Sequence, residues 1–494
     1  MRTEHIHQRI QRGAIIAILI VALVHFALRI DLAGSWRYDI AGAEPNVIHG
    51  VQKVMLGRAL YTDPQQAPFD FVQYTPAYYF VCGGIGKALG IDAFDVRSVY
   101  ELSRVLSLIL NLLTALTVLL IVRERWVSRS WGWVVAALTF AAFSEHFYSR
   151  ADSLYALLFA LSLRQVLRAL DAGTARAWAL AAVLAVLCFL TKQTAVLLFL
   201  IVPLHLLLDR KWRPLIAFLG SAFVASLVGI ALLLFLAPAD HLWKNMVDGL
   251  KNGVSPNYLF DLFNTRSYFQ LAGWHLIAVL LPIVLMRSTD PRSRFLALAM
   301  PLSVLFAVIT AFKSGSQFNY FFESLVITFV AVALYSGPAV KEGSLAPPHW
   351  LRTAIILYAL VFCVQRTVAL RTWSGKFGSP ATQYQTYSAD KHVRDVLVND
   401  LGLRDGEPVY VTYRGYLELF LNGNSLLSQK DIIEWSEDVP YDLSAFHTSM
   451  RDGSVRFVVT DAATDTIEVM DSTYTNYKPL RVVDGRHILV PSAR

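Results

Sequence analysis

Polar side chains that could do chemistry lie at the ends of several apolar segments of this 494-residue chain. Six of them are predicted to lie at one face of a membrane, namely Arg150, Asp152, Lys192, Gln193, Asn319 and Glu323. Ionisable groups in or beside a bilayer are costly to place, so a cluster on one side indicates a functional site. Ordinary contacts between helices would put such residues at both faces.

Two acids fall in a long loop that is predicted on the same side of the membrane. Asp39 and Glu44 follow the first apolar segment, and Pro45 favours the start of a helix at Glu44. A carboxylate there could accept the proton of a hydroxyl group or bind a cation. The alternative is that one of these acids only caps the following helix.

The basic residues suggest phosphate binding. Arg150 has the planar guanidinium that binds phosphate through two hydrogen bonds, and Asp152 could hold it in place. Lys192 and Gln193 lie between two apolar segments with almost no loop and could also donate to a phosphate. The alternatives are a local ion pair for Arg150 and a snorkelling side chain for Lys192.

Another polar group lies near residue 320. Asn319 and Glu323 are one helical turn apart and so share a helix face, and Lys313 comes just before them. An acid within an apolar helix needs a partner, and Lys192 or Arg150 could be that partner. The alternative is a buried pair with a structural role only.

Tyrosines are frequent between residues 57 and 80 of the first loop. Aromatic rings in an outer crevice can stack on sugar faces or line a groove for lipid. The alternative is an aromatic belt at the membrane interface. The complete predicted pocket comprises Asp152, Tyr61, Tyr74, Tyr78, Asn319, Tyr320 and Glu323.

No cofactor can be read from these residues. His49, His146, His241 and His275 are scattered, and we interpret them as core or interface residues rather than as metal ligands. The acids of the first loop could bind a divalent ion, but they do not form a complete ligand set. The three cysteines have no metal-like spacing and imply no disulfide framework.

The composition is that of an integral membrane protein. Hydrophobic residues make up 55% and charged residues 16%, whereas soluble domains have roughly 25% charged residues. The net charge of +7 comes mainly from short loops, so it indicates the orientation of the chain in the membrane rather than nucleic-acid binding. Eleven membrane spans are predicted, at 13–30, 100–122, 131–147, 152–170, 176–191, 193–208, 214–236, 269–286, 295–312, 319–336 and 353–370.

The basic loops predict a cytoplasmic N-terminus in the inner membrane, and an odd number of spans puts the C-terminus outside. We therefore predict a transmembrane domain at 1–371, with outer loops at 31–99 and 237–268, and an extracytoplasmic domain at 372–494. Two helices, at 44–56 and 80–89, are expected to lie in the interface plane.

The predicted outer domain has alternating helices and short strands. Helices are expected at 388–401 and 443–451, and strands at 408–413 and 455–460, with a final apolar run at 487–490. This alternation predicts a small α/β domain. It contains no glycine-rich phosphate loop.

Five segments carry a resemblance to a known family. They are DIAGAEPNVIHGVQKVMLGRALYTD, FVQYTPAYY, SRADSLYALL, LTKQTA and NYFFE, and they occur in this order across residues 39–323. The ordered set resembles the membrane-bound C-type (GT-C) glycosyltransferase superfamily, which contains protein O-mannosyltransferases and lipid A aminoarabinose transferases. It is most similar to bacterial members of family 39, which are dolichyl-phosphate-mannose transferase-like.

The resemblance implies an inverting transferase outside the cytoplasmic membrane. Its donor would be a polyprenyl-phosphate-linked sugar, and its acceptor a glycan, a lipid or a protein. The family's general base is an acid of the first outer loop, which here is either Glu44 or Asp39. Family members place two acids close together after the first span, whereas these two are five positions apart, so the choice stays open, with Glu44 favoured.

The resemblance and the residue chemistry together assign the donor phosphate to Arg150, Lys192, Gln193 and Lys313. Two other classes of function stay open. A lipid-linked sugar flippase or other transporter would need charges along a path through the membrane, and related halves are typical of such proteins. A non-catalytic membrane sensor would leave the one-sided acids and cations without a role.

Overall fold

The computed structural model describes residues 2–126, 129–143, 145–251, 253–264, 266–336, 347–428, 441–462, 466–469 and 472–492. Most of these residues are helical. The α-helices are α1 (Arg2–Ala33), α2 (Glu44–Leu56), α3 (Ala77–Ala88), α4 (Val96–Trp126), α5 (Arg129–Ala142), α6 (Ala151–Ala172), α7 (Ala175–Phe189), α8 (Leu197–Leu208), α9 (Trp212–Leu236), α10 (Ala239–Met246), α11 (Pro256–Asn264), α12 (Arg266–Leu285), α13 (Pro291–Ala311), α14 (Phe322–Ser336), α15 (His349–Gly375), α16 (Pro380–Asp395), α17 (Leu417–Phe420) and α18 (Ser444–Arg451).

Seven of the described helices are long and apolar enough to cross a membrane. They lie at Glu4–Ala33, Val96–Glu124, Ala151–Ala172, Trp212–Leu236, Pro291–Ala311, Phe318–Ser336 and His349–Gly375. Four shorter apolar helices, at Ser130–Ala142, Ala175–Phe189, Leu197–Leu208 and Gln270–Leu285, occupy the other predicted spans. The prediction of a polytopic helical membrane protein is confirmed, but α5, α7 and α8 are shorter than the roughly 20 residues that cross a bilayer unaided.

The described contacts divide the chain into two compact units. The first unit comprises Met1–Ala33, Val105–Gly229 and Val254–Lys376, and the second comprises Gly34–Arg104, Ile230–Gly253 and Phe377–Arg494. This grouping differs from the predicted boundary at residue 371. The reason is that the first outer loop and the start of the second contact C-terminal residues. Gln52 of α2 donates to the Leu419 carbonyl at 3.1 Å, and the Tyr441 hydroxyl donates to the Lys244 carbonyl at 2.5 Å.

The first unit is a bundle of apolar helices with a buried central helix. Every residue of α14 except Tyr335 is buried. Helix α5 packs against α1, α14 and α15, while α6 packs mainly against α7. A helix that is apolar on all sides can be stable only when neighbouring helices or lipid surround it. The polar residues at the start of α14 are therefore enclosed by protein.

Helix α2 of the second unit begins and ends as predicted. Pro45 stands in its first turn, and Gly57 ends it with a φ of 70°, which a glycine adopts without strain. Ten of its thirteen residues are buried. This burial differs from the expected helix in the interface plane, because such a helix would leave one face to lipid.

The C-terminal residues contain a five-stranded sheet in the order β2–β1–β3–β7–β6. The strands are β1 (Val409–Val411), β2 (Ser425–Leu426), β3 (Phe457–Thr460), β4 (Ile467–Val469), β5 (Ser472–Tyr474), β6 (Tyr477–Val483) and β7 (Arg486–Pro491). Strand β1 pairs in parallel with β2 and β3, and β7 pairs antiparallel with β3 and β6. The two predicted strands correspond to β1 and β3, the predicted final apolar run lies within β7, and the predicted α/β character is confirmed.

Candidate functional site

Asp152 is the centre of a buried polar cluster in the first unit. It lies in the first turn of α6, where the helix dipole favours an acid, and it is 1% exposed. Its Oδ1 accepts hydrogen bonds from Lys192 Nζ at 2.7 Å and from Asn319 Nδ2 at 2.6 Å. The Arg150 Nε atom lies 3.3 Å from Oδ2. The structure thus brings together four residues predicted from the sequence.

Three chain segments supply the partners of Asp152. Arg150 immediately precedes α6, and Lys192 follows α7, with its backbone N–H donating to the Cys188 carbonyl at 2.9 Å. Asn319 lies in the 3₁₀ turn Phe318–Phe321 that leads into α14. Gln193 is half-buried in the turn after Lys192. Helix ends, rather than helix interiors, therefore build the cluster.

Glu323 makes a buried hydrogen bond with a tyrosine of α6. The Tyr155 hydroxyl donates to Glu323 Oε1 at 2.5 Å, and both side chains are buried. The predicted pairing of Glu323 with Lys192 or Arg150 stays a prediction: Lys192 interacts electrostatically with Glu323, and both cations also contact Asp152. Tyr155 is three residues after Asp152 on α6. Asp152 and the Glu323 carboxylate that Tyr155 contacts therefore lie near the same face of α6.

Two lysines add positive charge to this unit. Lys192 Nζ lies 4.9 Å from the centre of the Tyr320 ring, within the range of a cation–π interaction. Lys313 is half-buried, and no acid pairs with its ammonium among the described residues. Burial, together with the nearby Lys192, lowers the pKa of Lys313 to about 8. Lys313 is therefore charged at neutral pH and loses its charge in mildly alkaline solution.

In the second unit, Glu44 forms a buried ion pair that the sequence reasoning missed. Arg104 Nε donates to Glu44 Oε1 at 2.9 Å, and Arg104 Nη2 donates to Oε2 at 2.8 Å. The backbone N–H of Ile40 also donates to Oε2, at 2.6 Å. Glu44 is completely buried. The signal for this pair was an arginine inside the apolar pattern of α4.

Asp39 organises the loop before α2. Its Oδ1 accepts backbone hydrogen bonds from Ala41 at 3.0 Å, from Gly42 at 2.7 Å and from Glu44 at 3.4 Å. Its Oδ2 has no hydrogen-bond partner in the part of the chain that the structure describes, and the side chain is half-buried. Burial and the neighbouring Glu44 raise the pKa of Asp39 to about 7. Asp39 can therefore take up and release a proton near neutral pH.

The predicted pocket tyrosines of the first loop are all buried within the second unit. Tyr61 donates to the Tyr74 carbonyl at 2.9 Å, and Tyr78 lies 2.9 Å from the Ser103 hydroxyl. Tyr74 is 6% exposed, and the other two are less exposed. Protein atoms surround these side chains, so a role in holding a sugar stays a prediction.

One group of described residues has the geometry of a metal site. The ligand atoms of Asp63, Asp240 and His241 lie within 4.8 Å of one another. However, Lys244 Nζ already donates to both Asp63 oxygens, at 2.9 and 2.8 Å. A divalent ion would therefore have to displace this ammonium group. His241 was not expected as a ligand, because contacts with distant acids are not visible in the sequence.

Comparison with known proteins gives a similarity in fold. No protein-family profile matches the chain, and no curated protein matches its sequence. The similar solved structures include ArnT from Cupriavidus metallidurans bound to undecaprenyl phosphate and the same protein in the apo state. In each comparison the TM-score is 0.61 at 12% sequence identity, covering 97% of this chain and 98% of the other. The resemblance to family 39 stays a prediction, whereas the GT-C-like membrane fold expected from the sequence is confirmed: the chain has the fold of ArnT.

Proposed function

We propose that this protein is an inverting glycosyltransferase of the inner membrane. It takes a sugar from a polyprenyl-phosphate donor and transfers it to a hydroxyl group of an extracytoplasmic glycan, lipid or protein. The observation that carries this proposal is the similarity in fold, over nearly the whole chain, to ArnT bound to undecaprenyl phosphate. Because one fold can support several functions, the proposal also needs residues with suitable chemistry.

The cations of the first unit are suited to the donor phosphate. The phosphate of a polyprenyl-phosphate sugar is a diester with one negative charge, and it gains a second charge when the bond to the sugar breaks. Arg150, Lys192 and Lys313 provide three positive charges, and Asp152 is the acid that contacts two of them. Preorganised cations stabilise charge that develops in a transition state. We assign the departing phosphate to these three residues, with Asn319 and Gln193 as candidate uncharged donors.

Asp39 is the more suitable of the two candidate bases. Both oxygens of Glu44 already accept hydrogen bonds from Arg104. Asp39 Oδ2 accepts none among the described residues, and its pKa of about 7 is close to that of an effective general base at neutral pH. This argument reverses the preference for Glu44 that came from the sequence.

The proposed reaction is a single displacement. The acceptor oxygen forms a bond to C1 of the sugar from the face opposite the phosphate, and the bond between C1 and the phosphate oxygen breaks. The acceptor proton moves to Asp39 Oδ2, and the polyprenyl phosphate leaves with the bonding electrons. The configuration at C1 is therefore inverted. A phosphate is a good leaving group, so the scheme needs neither a separate general acid nor a cofactor.

A comparison of envelope glycans tests this function in the cell. The glycans and lipids of a deletion strain are compared with those of its parent by mass spectrometry. We expect one sugar to be missing in the deletion strain and to return with the wild-type gene but not with Asp39→Asn. Identical glycans in the deletion strain and the parent would argue against a transferase.

A further inference from the structure

The second unit contains a cavity of about 300 Å³. Residues of α2 and of the first loop line one part of it, and residues from 405 to 425 line another. Eight of the twelve lining residues have polar side chains. Its volume is at the lower end of the range of ligand pockets, which is roughly 300–1,000 Å³.

One wall of the cavity is a buried charged group on α2. His49 and Lys53 are four residues apart and share a helix face. Lys53 Nζ donates to Asp70 Oδ2 at 2.6 Å, and His49 Nε2 lies 3.1 Å from the same oxygen. Burial alone would raise the pKa of Asp70, but Lys53 and His49 bring it below the usual range. Asp70 is therefore ionised and fixed in position.

The other wall is built around Arg58. Its Nη1 donates to the Asn422 carbonyl at 2.7 Å, and its Nη2 donates to Asp405 Oδ1 at 3.2 Å. A Cβ atom on Gly423 would lie 2.0 Å from Nη1, and this glycine has a φ of +103°. Only glycine lets the guanidinium approach the backbone so closely. The Asp405 side chain is 81% exposed, so this end of the cavity reaches solvent.

Ser425 is a buried polar residue of the cavity lining. It is 3% exposed and lines the cavity, and its hydroxyl has no hydrogen-bond partner within the described residues. A buried hydroxyl that makes no hydrogen bond is destabilising. A ligand in the cavity that can form hydrogen bonds would satisfy this hydroxyl.

The charges of the lining are balanced. Lys53 lies against Asp70, and Arg58 lies against Asp405. Burial lowers the pKa of His49, which is therefore neutral at pH 7. An anion would meet two carboxylates, and an apolar chain would leave the polar groups unsatisfied. A neutral ligand with many hydroxyl groups can both donate to the carboxylates and accept from the arginine and the serine.

We propose that this cavity binds a neutral saccharide unit, at a site separate from the candidate base. Lys53 is nine residues after Glu44 on α2, which corresponds to about 14 Å along the helix axis. Hydroxyl groups of the sugar donate to Asp405 and accept from Arg58 and Ser425. The site is independent of the transfer reaction, because it needs neither the donor lipid nor Asp39.

Binding of free sugars to the full-length protein tests this proposal. The protein is purified in a detergent without a sugar headgroup and titrated with glucose, mannose, galactose, N-acetylglucosamine and arabinose, using saturation-transfer NMR and calorimetry. We expect saturable binding of at least one sugar. Arg58→Gln and Ser425→Leu should weaken it at least tenfold, since the first removes charged hydrogen bonds and the second fills the cavity.

Matched controls separate this site from the rest of the unit. Arg481 forms a similar but exposed pair with Asp400 at 2.8 Å, so Arg481→Gln should leave sugar binding unchanged. Asp39→Asn should also bind sugar normally. If Arg58→Gln does not fold, Asp405→Asn at the exposed rim takes its place and should weaken binding.

Three results would overturn the proposal. The first is that no sugar of the panel binds to the wild-type protein. The second is that Arg58→Gln, or its rim substitute, binds sugar as well as the Arg481→Gln control does. The third is that inorganic phosphate competes with the sugar, which would identify an anion site. No donor lipid is present in these titrations, so their outcome is distinct from that of the transfer assay.

Discussion

At the scale of single residues, hydrogen bonding distinguishes the two acids of the first loop. Glu44 is enclosed by Arg104 and by the backbone of Ile40, whereas Asp39 uses one oxygen for the loop and leaves the other without a described partner. Glu44 is thus held in a structural ion pair, whereas Asp39 can exchange a proton. This difference leads to opposite expectations for the two substitutions.

Replacement of Asp39 by Asn should remove activity while the fold is kept. Asparagine retains an oxygen that can accept the backbone hydrogen bonds of Ala41 and Gly42, but it cannot take up a proton. We expect the transfer rate to fall by about 10²- to 10⁴-fold, the usual contribution of general base catalysis. Transfer assays and thermal unfolding of the purified variant measure the two effects.

Replacement of Glu44 by Gln should mainly reduce stability. The substitution leaves the Arg104 guanidinium buried without its carboxylate, and breaking a buried pair in this way costs about 3–5 kcal/mol. Thermal or denaturant unfolding measures the loss. A stable Glu44→Gln variant without activity, alongside a fully active Asp39→Asn variant, would reverse our assignment of the base.

The pH dependence of kcat/KM should report both Asp39 and Lys313. Asp39 must be deprotonated to act as a base, so activity rises as the pH passes about 7. Lys313 must be protonated to hold phosphate, so activity falls as the pH passes about 8. Lys313→Arg should remove the falling limb, because a guanidinium keeps its charge above pH 12. The pH–rate profiles of both proteins test this.

An exposed lysine provides the control for that substitution. Lys251 pairs with Asp248 and is 51% exposed, so Lys251→Arg should leave the profile unchanged. A falling limb near pH 8 that persists in Lys313→Arg would show that another group loses the proton.

The sequence indicated which residues would do chemistry better than it indicated their partners. Arg150 and Asp152 are close in the chain, and their contact was expected. The pairs Glu44–Arg104 and Tyr155–Glu323 join residues 60 and 168 positions apart. Such pairs depend on helix packing, which a single sequence does not specify. The cluster of His49, Lys53 and Asp70 was missed for the same reason.

At the scale of elements, local signals made some segments predictable. Helix α2 has a proline in its first turn and a glycine at its end, and its bounds agree with the prediction. Strand β6 gave no such signal, because it lies at the edge of the sheet and its five central residues are exposed. Hydrophobic alternation predicts a strand only when one face of that strand is buried.

Close packing of α12 against α15 gives a prediction at this scale. A Cβ atom on Gly273 would lie 2.2 Å from the Tyr358 hydroxyl oxygen and 2.5 Å from the adjacent ring carbon. Gly273→Ala should therefore push the two helices apart and destabilise the protein by about 1–3 kcal/mol. Thermal unfolding in detergent measures the change.

Gly220 of α9 is the matched control. A Cβ atom there meets no atom within 4 Å, so Gly220→Ala should leave the melting temperature unchanged or raise it slightly. Equal melting temperatures for the Gly273→Ala variant and the wild type would contradict the packing described for α12 and α15.

At the scale of the whole molecule, the order of apolar helices carries more information than residue identity does. The fold agrees with ArnT over nearly the full chain although only 12% of the aligned residues are identical. The membrane fold class could be predicted because apolar length and loop charge are visible in a sequence. The composition of the two compact units could not, because each unit joins segments that are far apart in the chain.

The proposed membrane orientation can be tested with fusion proteins. Loop charges predict that the C-terminus is extracytoplasmic and that the loop after α8, at 209–211, is cytoplasmic. Alkaline phosphatase fused to the C-terminus should therefore be active, and alkaline phosphatase fused after Lys211 should be inactive. The reverse pattern would place the proposed reaction on the wrong side of the membrane.

The most direct test of the central claim is consumption of a lipid-linked sugar by the purified protein. Wild type and Asp39→Asn are each incubated in detergent with a panel of undecaprenyl-phosphate-linked sugars and with envelope extract from the deletion strain as acceptor. We predict that the wild-type protein releases undecaprenyl phosphate from one of these donors and that Asp39→Asn releases it at least 100-fold more slowly. Absence of release from every donor by folded wild-type protein would contradict the account.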